Sequence, residues 1–262
     1  MDILQRIIIF IVIIYLVYVI YFKKSNLKKT SLIIRLGGCN VSSGSDAHNT
    51  MRAKARISVL RILFNDKLDS QIDKNILQKN KETCHIKKED IPYFGDYLDF
   101  GCNMGVMTRE IIKCLHNKLD KTFGCDVNKT LELDDINFKY LSSTHLNEID
   151  NFSIGLITIF MVFHHLDQYF NKLLKQIVRL CKINGYLFIK EHNFNGLTKK
   201  YLDDMHLNPE WAQEHTGDIG KTKYFTYNEL RTILEKNNFK HIRTYKENDK
   251  YNQYYSLYQK NK

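Results

Sequence analysis

Apolar residues are concentrated first at one end of the chain. From Ile7 to Phe22 the sequence reads IIIFIVIIYLVYVIYF, with no charge, glycine or proline, between Arg6 and Lys23. A helix that is apolar on every side is unsuited to the surface of a soluble domain. Sixteen residues make roughly 24 Å of helix, and Ile3 and Leu4 extend it toward the ~30 Å of a hydrocarbon core. The run predicts a transmembrane anchor over residues 1–24. A cleaved signal peptide fits less well, because the leader MDILQR is nearly neutral and the sequel KKSNLKK has no small-residue cleavage site. Lys23, Lys24, Lys28 and Lys29 follow the span, which predicts a single-pass topology with the rest of the protein on the cytoplasmic side.

Residues 25–50 are basic and then small and polar, ending GGCNVSSGSDAHNT, the composition of a linker. A folded domain is expected over 51–262, opening with a helical extension over 51–92. Within it Met51, Ala55, Val59 and Ile62 share one helical face while Arg52, Lys54 and Arg56 lie elsewhere, the pattern of a peripheral basic helix. One more irregular helix is expected over 66–91. Beyond residue 95 short apolar runs alternate with helix-period segments. Strands are predicted at Tyr97–Phe100, Thr122–Cys125, Phe138–Leu141, Ile154–Met161, Gly185–Lys190, His241–Tyr245 and Tyr254–Leu257, and helices at Val106–His116, Leu166–Cys181 and Tyr227–Asn237. That alternation predicts an α/β fold with a mostly parallel sheet covered on both faces and a final antiparallel hairpin.

Composition changes this picture little. The net charge of +10 includes +4 from residues 1–31, so the remainder is only mildly basic and argues weakly for nucleic acid. The six cysteines are scattered, with no C-x-x-C pair and no metal-ligand spacing, and read as free thiols in a reducing compartment.

The candidate chemistry lies in YLDFGCNMGVMTREIIKCL, residues 97–115: a strand ending at Asp99, a turn with Gly101 and Gly105, then a helix. A glycine-rich turn ahead of a helix N-terminus is a ligand cradle. A dinucleotide fingerprint needs glycines where Asn103 and Val106 stand. The segment instead resembles the first motif of class I S-adenosylmethionine-dependent methyltransferases. Further resemblances follow in order: GCDVN with Asp126 at the second strand end, SIGLITIFMVFHHLD at 153–167, RLCKINGYLFIKEHNF at 179–194 and YFTYNELRTILEKNNFKHIRTY at 224–245. Gly155 stands where the family usually has Asp, Ile183 and Asn184 replace Pro-Gly, and Asn238-Phe239 replaces Gly-Phe.

The resemblance implies a Rossmann-like, doubly wound seven-stranded sheet with an antiparallel last strand, and S-adenosylmethionine as cofactor. It implies cofactor contacts at Asp99, Gly101, Cys102, Asn103 and Gly105, ribose recognition by Asp126, and Phe160 and Met161 beside the adenine or methionine part. His164, His165, Glu191 and His192 fall where such sheets bind ligands; His192, Glu191 and His164 are the candidates for proton transfer, and no metal is expected. The KEHN segment, Lys190 to Asn193, is similar to one in methyltransferase-like proteins of large DNA viruses. Residues 195–223, with Trp211, are expected to cover the acceptor pocket. No N/D-P-P-Y/F follows the fourth strand and no Lys-Asp-Lys-Glu tetrad is complete, so a small-molecule or lipid acceptor is favoured over RNA. A catalytically inactive membrane-tethered scaffold is the other reading.

Overall fold

The computed structural model describes residues 46–65, 91–102, 105–126, 139–142, 146–195, 199–200, 202–204, 223–247 and 251–262. The expected anchor, most of the linker, the irregular helix, Asn103 and Trp211 lie outside these residues. Among the described residues no helix is long and apolar enough to cross a membrane.

Helix α1 (Asp46–Phe64) comes first, followed by β1 (Gly95–Phe100), α2 (Val106–Leu115), β2 (Leu119–Asp126), β3 (Lys139–Ser142), β4 (Ile154–Phe160) and α3 (Phe170–Leu180). Then come β5 (Cys181–His192), α4 (Tyr227–Lys236), β6 (Phe239–Lys246) and β7 (Gln253–Lys260). One sheet holds seven strands in the order β3-β2-β1-β4-β5-β7-β6. The strands β3, β2, β1, β4 and β5 pair in parallel, and β7 runs antiparallel to both of its neighbours. The chain leaves β1 toward β2 and β3, then returns to place β4 on the other side of β1. The carboxyl ends of β1 and β4 therefore flank the switch point where open α/β sheets bind ligands.

All seven residues of β4 are buried, as a central strand covered on both faces requires. One face packs on α1 and α2 through Leu60, Ile111, Tyr97 and Phe188. The other packs on α3 and α4 through Phe170, Ile177, Leu230 and Ile157.

Several expected boundaries move. Helix α1 begins at Asp46, within the expected linker, and buries Ala53, Ile57, Leu60 and Leu63, while Met51 is 45% exposed. Of the expected face, Val59 and Ile62 are buried while Met51 and Ala55 are not, and the buried face is broader than expected because the second half of the helix is apolar on more than one side. Residues 167–169 form a 3-10 turn, and Cys181, expected to end a helix, begins β5. Glu191 and His192, expected just after the fifth strand, end it instead, paired with Tyr254 and Gln253. Cys102, Cys125 and Cys181 are free thiols as expected; Cys114 is disulfide-bonded, contrary to that reading.

The departures from the family pattern have local causes. A Cβ on Gly155 would lie 1.8 Å from the carbonyl oxygen of Phe94, so the chain entering β1 leaves no room for the usual carboxylate. Asn184 (φ 62°) and Asn238 (φ 66°) adopt the left-handed conformation that glycine supplies elsewhere. Asparagine is among the few other residues that enter it readily. Gly155→Ala should therefore lower stability by ~1–3 kcal/mol or more through backbone overpacking. Thermal unfolding of the full chain checks this, and an unchanged midpoint would contradict the close approach.

Candidate active site

Asp99 and Thr158 are register partners across β1 and β4, and their side chains share one face of the sheet. Thr158 Oγ1 donates to Asp99 Oδ1 at 2.6 Å, and Thr108 Oγ1, from the first turn of α2, donates to Asp99 Oδ2 at 2.6 Å. Tyr97 Oη extends the network to Thr158 Oγ1 at 2.8 Å. Asp99 is 3% exposed. Burial raises its pKa, while the Thr108 and Thr158 hydroxyls and the Arg56 charge pull it down. The carboxylate thus acts first on the protein, tying β1 to β4 and to α2.

Above it the chain turns. Gly101 and Gly105 take φ of 74° and 73°, which a residue with a Cβ adopts only with strain. The N–H groups of Gly101 and Cys102 both donate to the Cys125 carbonyl, at 2.8 and 3.2 Å, so the turn is fastened to the end of β2. On its other side a Cβ at Gly101 would stand 2.2 Å from Val162 Cγ2, which shows how closely the loop after β4 approaches. No side chain caps α2 at Gly105, leaving its N-terminal N–H groups directed at whatever occupies the turn. Asp126, half-buried at the end of β2, follows directly on Cys125, whose carbonyl fastens the turn. Cys102 is buried, and that burial raises its thiol pKa well above the ordinary value. Phe160, the last residue of β4, packs edge-on against Phe188 with centroids 5.3 Å apart.

A second cluster lies at the ends of β4 and β5. His164, in the turn Phe163–His165, places Nδ1 2.6 Å from Glu191 Oε1. The same oxygen accepts from the His192 backbone N–H at 2.9 Å. Burial holds the His164 imidazole down to about 3 and pushes the Glu191 carboxyl up. A neutral His164 next to a carboxylate donates through Nδ1–H, the tautomer that this contact assigns. Glu191 Oε2 is buried with no hydrogen-bond partner, as is the hydroxyl of Tyr254 opposite it on β7. His192 Nδ1 lies 2.9 Å from the Tyr251 carbonyl oxygen. The rings of His165 and His192 lie 4.0 and 5.6 Å from that of His164, and Tyr224 stacks parallel to it at 6.4 Å.

The structure thus brings Asp99, Gly101, Cys102, Gly105, Asp126 and Phe160 to one side of the switch point and His164, Glu191 and His192 to the other. Sequence reasoning missed Thr108, Thr158, Tyr254 and Val162. Thr158 was visible as the single polar side chain in IGLITIF. Tyr254 becomes relevant only through the β5–β7 register.

A mostly parallel sheet with a left-handed glycine turn between β1 and α2, an acid at the end of β2, and a polar cluster beyond β4 defines a nucleotide-type cofactor fold. The methyltransferase-domain family matches residues 59–244, and the chain belongs to it. No curated protein matches the sequence closely enough to count as a relative. Similar solved structures include an S-adenosylmethionine-dependent methyltransferase from Methanosarcina mazei, 16% identical, covering 65% of this chain and 94% of that one at a TM-score of 0.48. The Bacillus subtilis YcgJ protein is 17% identical, covering 60% and 67% at 0.44. An O-methyltransferase family protein from Burkholderia thailandensis is 11% identical, covering 63% and 51% at 0.47.

The cofactor is S-adenosylmethionine, and the residues fit it. The uncapped N-terminus of α2 offers backbone N–H groups, and Asp126 can accept from two hydroxyls. Asp126→Ala should weaken S-adenosylhomocysteine binding about tenfold, from the loss of one or two hydrogen bonds to a charged acceptor; calorimetry on the full chain checks this. His164 has a folded pKa below its unfolded value of about 6.5, so the stability that it contributes is complete above that value and lost as pH falls toward about 3. Its Cε1–H resonance should accordingly show no titration between roughly pH 8 and 5, and an inflection near 6.5 would contradict its burial.

Proposed function

We propose that the protein methylates a hydroxyl or amine of a small-molecule or lipid acceptor at the cytoplasmic face of a membrane, to which residues 1–24 anchor it. The observation that carries this reading is the orphaned Oε2 of Glu191, buried beside Tyr254 at the carboxyl end of β5. A buried acceptor atom without a partner is costly, and it is relieved when a protic group enters.

When bound, S-adenosylmethionine supplies an electrophilic methyl group on a sulfonium. Glu191 Oε1 is held by His164 Nδ1–H and the His192 N–H, which leaves Oε2 to take the acceptor's proton as the new bond to carbon forms. Burial makes this carboxylate more basic than usual, which suits a general base near neutral pH. His164, held neutral, orients the carboxylate without discharging it. The aromatic pair Phe194 and Tyr224, stacked at 4.8 Å, lies next to His164 and gives the acceptor side an apolar wall. The apolar run at 7–22 and the lysines behind it favour an acceptor in or beside the bilayer.

Two measurements test the reading. Membrane vesicles carrying the full chain, prepared inside-out or right-side-out, are given S-adenosylmethionine with a labelled methyl. Label is expected in the organic-extractable or small-molecule fraction of inside-out vesicles only. Nuclease-sensitive label, or equal labelling in both orientations, overturns the acceptor or the topology respectively. Glu191→Gln should lower kcat about 100-fold or more while leaving S-adenosylhomocysteine affinity within about twofold. Loss of cofactor affinity as well would mark Glu191 as structural.

A further inference from the structure

By sequence pattern Arg56 is one charge on the solvated side of a peripheral helix. Packing puts it elsewhere. Helix α1 lies against α2, tied by Thr50 Oγ1 donating to Glu110 Oε2 at 2.9 Å. The guanidinium of Arg56 consequently rests over the ring of Phe160, 4.2 Å from its centroid. Phe160 ends β4, so this cation stands at the carboxyl end of the central strands. It is on the face that Asp99 shares, and its charge is felt there.

Among the described residues Arg56 has a ring beneath it and no anion bonded to it. No hydrogen bond or ion pair joins it to any described residue, and the Asp99 oxygens are taken by Thr108 and Thr158. Stacking engages the flat face of a guanidinium and leaves its N–H edge available. A half-buried guanidinium fixed in this way presents the fork that a carboxylate fits. The cradle beside it is acidic, with Asp99 and Asp126 at the ends of β1 and β2. Those charges suit an ammonium and hydroxyl groups, but they repel a carboxylate.

We propose that Arg56 binds the α-carboxylate of the methionine part of S-adenosylmethionine, two N–H groups to two oxygens. The inference rests on the cofactor assignment and adds a residue from outside the sheet to it. The ammonium and carboxylate of one ligand then meet opposite charges: the acids of the β1 and β2 ends on one hand, the cation of α1 on the other. Helix α1 becomes part of the cofactor site, positioned by its contact with α2, and Phe160 serves as the platform that aims the guanidinium.

The test is calorimetric and needs no acceptor. Wild type and Arg56→Gln, as full chains, are titrated with S-adenosylmethionine and with its decarboxylated analogue, which lacks only the carboxylate. Arg56→Gln should weaken S-adenosylmethionine about 10- to 100-fold, the range of a charged hydrogen-bonded pair, and the analogue less than about twofold. Wild type should itself prefer S-adenosylmethionine by a comparable factor. Ligand-free melting of both chains shows whether the variant is folded. Unchanged binding of S-adenosylmethionine to Arg56→Gln, or equal loss of both ligands by a folded variant, overturns the inference alone. A wild-type chain that binds neither ligand overturns the cofactor assignment and this inference with it.

Discussion

Two hydroxyl groups on the buried carboxylate of Asp99 hold together the place where β1 stops, β4 passes and α2 begins. Hydrogen bonds to a charged group contribute about 1.5–3 kcal/mol each, and an unpaired carboxylate at that depth would be strongly unfavourable. The arrangement therefore tolerates no loose variant: Thr158 has to sit opposite Asp99 in register, and α2 has to start where Thr108 can reach back. Once both are satisfied, the path of the turn from Gly101 to Gly105 is determined at its two ends. The N-terminus of α2 and the acid at the end of β2 are then placed relative to one another by strand register and the Thr108 bond together. Asp99, a cofactor contact by the family resemblance, is thus also the group that ties this junction together.

The alternation of apolar runs and helix-period segments made the strands legible, because β4 and the middle of β5, Tyr186–Ile189, are covered on both faces and are nearly continuous in apolar residues. The switch from β1 to α2 was legible for a different reason, since Gly101 and Gly105 meet a backbone requirement that few residues can. Where asparagine meets the same requirement, at Asn184 and Asn238, the pattern looked like a departure from the family and proved to be a conservative exchange. Gly155 was misleading in the opposite sense. It resembled a lost carboxylate, whereas the close approach of the Phe94 carbonyl excludes any side chain there. Neither position supports an inactive scaffold.

What could not be read from the chain was whatever depends on two elements meeting. His164 and Glu191 are 27 positions apart and come together at 2.6 Å because β4 and β5 are parallel neighbours. Tyr254 joins them because β7 is inserted beside β5. The buried face of α1 includes the expected Val59 and Ile62 but extends to Ile57, Leu60 and Leu63, because its second half is apolar on several sides and packing covers more than one of them. Arg56 is the sharpest case: helical periodicity put it in solvent, and helix packing put it over an aromatic ring.

The insertion of β7 between β5 and β6 also orders assembly. What fastens the cofactor turn, β1 through β4 with α2, is contiguous in sequence, so its contacts can form as that stretch emerges during synthesis. Glu191, by contrast, sits on a strand whose outer edge stays unpaired until residues 253–260 arrive. A nascent chain would thus complete the glycine turn well before the strand that carries Glu191 gains its outer neighbour.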